Sequence, residues 1–153
     1  MSIQDKLTSM GLSLPVAARP LGSYVPAVRS GNLVFTSGQG PIRDGQLGLL
    51  GRVGQDLTVE QAQESARRCA LNCLAAVASV TDDLERVVKI VRVTGYVNSA
   101  ADFTDQPAVV NGASDFLVQL FGEAGKHSRA AVGVYQLPMG IPVEVDLIAE
   151  VRD

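Results

Sequence analysis

Apolar and polar positions alternate along this chain in two different periods, and the switches between them lay out its elements. Ile3, Leu7 and Met10 fall on one side of a short helix that Gly11 ends, and a proline-punctuated lead-in then runs to Leu21. From Tyr24 to Arg29 and from Leu33 to Ser37 the pattern is strand-like. Ser30, Gly31 and Asn32 between them tolerate positive φ, so the two segments are expected to pair as a hairpin. Six glycines between Gly38 and Gly54 mark a loop, with one short strand expected near Leu47 to Leu50.

Thr58 to Val80 is the clearest helix. Thr58 and Gln61 form a capping-box pattern, and Ala62, Ala66, Cys69, Ala70, Cys73, Leu74, Val77 and Val80 follow at steps of three and four. The small residues on that stripe let the helix lie close to a sheet. Arg86 to Asn98 is β-branched and apolar at Val87, Val88, Ile90, Val91, Val93 and Val97, too continuous for a half-exposed strand, which predicts a central strand covered on both faces, by helices on one and by a partner subunit on the other. A second helix begins at Gln106–Pro107, buries Val109, Val110, Ala113, Phe116, Leu117, Leu120 and Phe121, and stops at Gly122. Two more strands, from Ser128 to Tyr135 and from about Val143 to Val151, are expected to close the chain as a hairpin across a Pro/Gly loop.

The order ββ, α, β, α, ββ predicts an α+β domain, a mixed sheet with two helices packed on one face. No element remains to cover the other face, so association through it is expected. At 153 residues the chain reads as a single domain, 1–153, with 1–21 as an N-terminal extension. Charged residues are only 19%, low for a small monomer, which agrees with surface hidden in an oligomer.

Charge and cysteine usage narrow the function classes. A net charge of −3 gives no footprint for a nucleic-acid backbone, and four Phe and three Tyr with no Trp are too scattered for a base-stacking platform. Nucleic acid is therefore an unlikely partner. Cys69 and Cys73 lie one helical turn apart, with poorly directed Cβ vectors for a disulfide, and the chain has one histidine. Both read as small core residues in a reducing compartment, with no metal site and no cofactor implied. No apolar run reaches membrane-spanning length and no signal-peptide order opens the chain, so a cytoplasmic location is expected.

The chemistry concentrates in the tail. Arg129, Ala131, Gly133 and Tyr135 share one face of their strand, as do Glu144 and Asp146 of theirs. If the two faces coincide, a guanidinium fork suited to a carboxylate or phosphate projects beside an acid. An ordinary cross-strand ion pair accounts for the same spacing.

The run R-x-x-V-x-V-x-x-L-P…P-V-E-V-D-x-I-A, from Arg129 to Ala149, resembles the C-terminal signature of the RidA/YjgF family of reactive-intermediate deaminases. Three upstream segments match in order: G-S-Y-V at Gly22 to Val25, L-V-F-T-S-G-Q at Leu33 to Gln39, and P-A-V-V-N-G-A at Pro107 to Ala113. The resemblance implies a chorismate-mutase-like fold, and a homotrimer whose sheets form a central barrel with a site in each intersubunit cleft. It also implies hydrolysis of enamine and imine acids such as 2-aminoacrylate to 2-keto acids and ammonia. By the same resemblance Arg129 grips the substrate carboxylate, Glu144 handles water and protons, Tyr24 closes the pocket and Asn111 lines it. Ser37 and Gly38 border the pocket, and Gly133 clears space for the ligand. Each has a plainer alternative: a strand glutamate, a rim tyrosine, a helix-surface asparagine, a packing glycine.

Ala131 stands where close relatives of the founding deaminase commonly carry Cys, which removes a thiol from the pocket and leaves substrate preference open. Extra length before Gly22 and in Gly122 to His127 marks a distinct subgroup, and places His127 two residues from Arg129. Two other readings of the cleft stand beside hydrolysis: a non-catalytic keto-acid binder, and the ribonuclease or translation-inhibitor activity of the family's older labels.

Overall fold

The computed structural model describes residues 1–20 and 22–153; Leu21, the last residue of the predicted extension, lies outside the described residues. Helix α1 (Ile3–Ser9) opens the chain on a capping box between Ser2 and Asp5. Strands β1 (Ala27–Ser30) and β2 (Leu33–Thr36) follow as the expected hairpin. Ser30 pairs with Leu33, leaving a two-residue turn in which Gly31 has φ 60°. Positive φ at the first central position suits a type II′ turn.

No strand forms at Leu47 to Leu50. Gly45, Gly48, Gly51 and Gly54 all hold positive φ, which breaks the extended pleat a strand requires. Leu49 and Leu50 stand exposed, and the loop is tied down by isolated bridges such as Gln39 to Val145. Helix α2 (Val59–Thr81) then starts on the reciprocal Thr58–Gln61 cap. Its stripe of small residues packs directly on the sheet. The buried Cys69 and Cys73 thiols, free of any disulfide, donate to the carbonyls of Val143 and Val145 at 3.4 and 3.2 Å. Burial pushes both thiols well above their ordinary pKa, so they serve as core residues.

Strand β3 (Val87–Asn98), helix α3 (Gln106–Phe121), and strands β4 (Ser128–Val134) and β5 (Val143–Val151) complete the fold. The sheet order is β1-β2-β5-β3-β4, with β3 and β4 parallel and the other neighbours antiparallel. The expected closing hairpin is thus incorrect: β3 lies between β4 and β5. The physical reason is in the intervening helix. A strand, a helix and a strand in succession make a crossover that returns parallel, so β4 docks beside β3 and not beside its successor. The valine-rich β3 gains an interior place, between β5 and the edge strand β4.

One face of the sheet carries α2 and α3 over Val34, Ile90, Val93, Val97 and the odd-numbered residues of β5, from Val143 to Val151, all buried. The N-terminal extension belongs to this core. Leu7 is fully buried, Met10, Leu12 and Leu14 pack against the cluster, and Lys6 Nζ donates to Leu120 O at 3.0 Å. On the opposite face, Val28 pairs with Phe35 and Phe35 with Ile148, and both Val28 and Phe35 are exposed. Val88 and Val132 are also exposed. The second covering expected over β3 is not supplied by this chain. Among the described residues no helix is long and apolar enough to cross a membrane.

Candidate functional site

Strand parity decides where the predicted residues go. Along β5, Val143, Val145 and Leu147 face the helices, so Glu144 and Asp146 face the uncovered side. Glu144 sits opposite Tyr96 of β3, and the Tyr96 hydroxyl donates to Asp146 Oδ2 at 3.0 Å. The chain leaves β2 at Ser37–Gly38 and passes directly over Glu144. A Cβ on Gly38 would overlap Glu144 Oε2, so glycine there is what lets the carboxylate lie flat against the backbone. Ser37 is tied to the neighbouring segment: its amide donates to Pro26 O at 2.8 Å and its hydroxyl to Val25 O at 2.6 Å, which pins the Tyr24–Pro26 segment to the sheet.

Glu144, Gly38 and the exposed Tyr24 border one cavity of about 290 Å³, with Arg19, Met139 and Ile141 among its other walls. Arg19 comes from the N-terminal extension. Burial, reinforced by the neighbouring Asp146 carboxylate, raises the Glu144 pKa above the ordinary glutamate value. Asp146 is raised too, chiefly by burial, with Tyr96 and Arg92 acting in the other direction. A half-buried acid with a second acid beside it has the character of a proton-transfer group.

The second group of residues lies elsewhere. Arg129 pairs in register with Val93, whose side chain faces the helices, so Arg129 projects toward α3. Its Nη1 donates to Asn111 Oδ1 at 2.8 Å and to Ser114 Oγ at 3.2 Å, and its Nη2 donates to Pro107 O at 3.4 Å. A guanidinium has five N–H donors. Three are used within the chain, which leaves Nε–H and one Nη2 hydrogen for a two-point grip on a carboxylate.

Asn111 therefore acts here as a brace on Arg129, from the exposed side of α3. Ala131 is partly buried and packs against the core beside Gly95, and the space over Gly133 is taken by Gln106, whose Nε2 a Cβ would approach to 2.6 Å. His127 is half-buried, with Nδ1 2.7 Å from Gly125 O and Nε2 2.9 Å from Ser114 Oγ. Burial lowers its pKa, against the raising effect of the Gly125 hydrogen bond and with a smaller push from the Arg129 charge.

Arg129 and Glu144 thus do not meet within one chain. They project from opposite faces, and strand rise and spacing put their Cα atoms roughly 14 Å apart. The condition that the two strand faces coincide is therefore not met within one chain. Ser114, Arg19 and Asp146 were not singled out as site residues by the sequence reading. For Ser114 a signal existed: it lies three residues after Asn111, on the same face of α3.

Comparison with known proteins agrees with this architecture. Residues 4–151 match the model of the family described as "YjgF/chorismate mutase-like, putative endoribonuclease". Protein TCP17 of Trypanosoma cruzi is 43% identical over 152 residues, covering 99% of this chain and 95% of the relative. The 2-iminobutanoate/2-iminopropanoate deaminase of Dermatophagoides farinae is 29% identical over 141 residues, 92% of this chain and 95% of that one. A crystal structure from Shewanella oneidensis, described as a putative endoribonuclease, superposes with a TM-score of 0.95 at 34% identity, over 99% of this chain and 100% of that chain. The similarity therefore includes the N-terminal helix.

Proposed function

The chain belongs to the YjgF/chorismate mutase-like family, and from that premise we propose that two copies together build a cleft in which small enamine and imine acids are hydrolysed to 2-keto acids and ammonia. The observation that carries this reading is the division of the site. One face of the protomer presents a carboxylate-ready guanidinium, and the other presents a pKa-raised acid beside a cavity. A neighbour that covers the apolar sheet face brings its own Arg129 edge to the Glu144 cavity. The exposed Val28 and Phe35 supply the apolar area for such a contact. A homotrimer, the assembly the family resemblance implies, closes the arrangement with one cleft per interface, as a head-to-tail contact does when its rotation closes into a ring.

In that cleft the free donors of Arg129 hold the substrate carboxylate, which fixes the small molecule's orientation. Glu144, protonated, gives its proton to the imine nitrogen or to the terminal enamine carbon. The carboxylate so formed then takes a proton from water as oxygen attacks the C=N carbon. Glu144 then gives that proton to the carbinolamine nitrogen, and its carboxylate takes the hydroxyl proton as the C–N bond breaks, the C=O forms and ammonia leaves, which restores the protonated acid. A raised pKa matches both halves of this cycle near neutral pH. No thiol is required, so Ala131 is compatible with the step. The name of the Dermatophagoides farinae relative points to the same chemistry.

The test is release of ammonia and keto acid when an amino-acid oxidase generates the imine in the presence of this protein. Acceleration by the wild type, lost in Arg129→Ala and in Glu144→Gln, supports the assignment. Saturable keto-acid binding without turnover contradicts it in favour of a binder. RNA cleavage that depends on Glu144, with no imine turnover, contradicts it in favour of the family's other label.

A further inference from the structure

The hydrogen-bond pattern behind Arg129 runs deeper than a single contact. Gly125 O can only accept, so His127 Nδ1 donates to it at 2.7 Å. In the neutral ring Nε2 is then the acceptor, and the group facing it at 2.9 Å is the Ser114 hydroxyl, which donates. With its hydrogen so committed, Ser114 Oγ turns a lone pair to Arg129 Nη1 at 3.2 Å. The chain reads Gly125 O, His127, Ser114, Arg129, Asn111, with every donor matched to an acceptor.

Gly125 can take this place because it is buried against α3, where a Cβ would overlap the Leu117 carbonyl. Burial, with the adjacent guanidinium, favours the neutral ring of this pattern and outweighs the Gly125 hydrogen bond, which acts the other way. Every link except Arg129 and Asn111 comes from Ser114 and the Gly122–His127 segment, the part of the chain with extra length.

We infer that His127 and Ser114 are positioning residues: through Ser114 they lock the Arg129 guanidinium in the orientation that leaves Nε–H and one Nη2 hydrogen open to a substrate carboxylate. This rests on the reading of Arg129 given above. Ser114→Ala removes the hydroxyl that links the ring to the guanidinium, and His127→Phe removes the acceptor that orients the hydroxyl. Neither touches the reacting carbon, so the loss falls on KM, with kcat held within about twofold.

The experiment measures pyruvate affinity by calorimetry, and KM and kcat on oxidase-generated imine, for wild type, Arg129→Ala, Ser114→Ala, Ser114→Thr, His127→Phe and the Ser114→Ala/His127→Phe double variant. Thermal melts confirm that each is folded. The expected result is a 5- to 20-fold rise in pyruvate Kd and in KM for Ser114→Ala and for His127→Phe. Ser114→Thr, which keeps the hydroxyl, stays near wild type, and the double variant is no worse than Ser114→Ala alone. Wild-type affinity in Ser114→Ala and His127→Phe, with binding lost in Arg129→Ala, overturns the brace and leaves the role of Arg129 standing. Unchanged binding in Arg129→Ala overturns both.

Discussion

Gly38 and Glu144 are in direct contact across two strands, the glycine backbone forming the surface on which the glutamate carboxylate rests. Neither residue is close to the other in sequence, and no hydrogen bond joins them. The relation is one of space. Gly38 is not among the positive-φ glycines, so alanine fits the backbone there and fails only against Glu144. Gly38→Ala is expected to leave the fold intact and to lower kcat/KM by about 10- to 100-fold, the scale on which small displacements of catalytic groups are felt. Steady-state kinetics beside a thermal melt distinguishes this from unfolding.

The fold was largely legible, because its evidence is periodic. The Thr58–Gln61 cap, the alanine and cysteine stripe of α2 and the valine-rich run of β3 each act through local sequence, and the structure forms elements there. The pairing of β4 with β5 was misread because two apolar strands with a short connection look alike whether or not a third strand lies between them. The helix α3 between β3 and β4 held the correction. Glycine clustering after Gly38 marks a loop, and Leu47–Leu50 has strand composition with a backbone set by its glycines. The site was legible as a set of residues and not as an arrangement. Parity within a strand shows that Arg129 and Ala131 go together; only the sheet order shows that Glu144 goes the other way.

The apolar pair Val28 and Phe35 is expected to hold copies together. Phe35→Asp places a charge in the middle of that surface, and truncating or charging a buried interface anchor typically costs about 2 kcal/mol or more per copy. Analytical ultracentrifugation should show the wild type as an oligomer and Phe35→Asp as predominantly monomer, with turnover lost in parallel. An unchanged sedimentation coefficient in Phe35→Asp removes this face from the assembly.

The N-terminal extension is expected to behave as core. Leu7 is completely enclosed, so Leu7→Ala leaves a cavity and should destabilise by about 2–4 kcal/mol. Urea unfolding monitored by circular dichroism measures it, as a lower midpoint at an unchanged slope. A midpoint within error of the wild type would mean that α1 does not contribute its burial in solution.

Glu144 should trade stability for function. Its raised pKa means the fold favours the protonated acid, so its contribution is fullest below the ordinary glutamate pKa and is lost as pH rises through the raised value. Glu144→Gln is therefore expected to be more stable than wild type at pH 7. The group is half-exposed, which limits the gain to about 1–2 °C in Tm. The difference should shrink as pH falls toward about 4, where the glutamate itself becomes neutral. Melting curves at pH 4, 5.5 and 7 follow it; a glutamine variant that is less stable at pH 7 contradicts the sign.

The division of the site between copies is tested most directly by complementation. Arg129→Ala and Glu144→Gln chains, each inactive alone, are unfolded together and refolded as a 1:1 mixture. If every cleft takes Arg129 from one copy and Glu144 from the next, random assembly restores an intact pair in about one cleft in four, with activity near a quarter of wild type per chain. Recovery at that level is the predicted result. A mixture as inactive as its components would contradict the shared cleft.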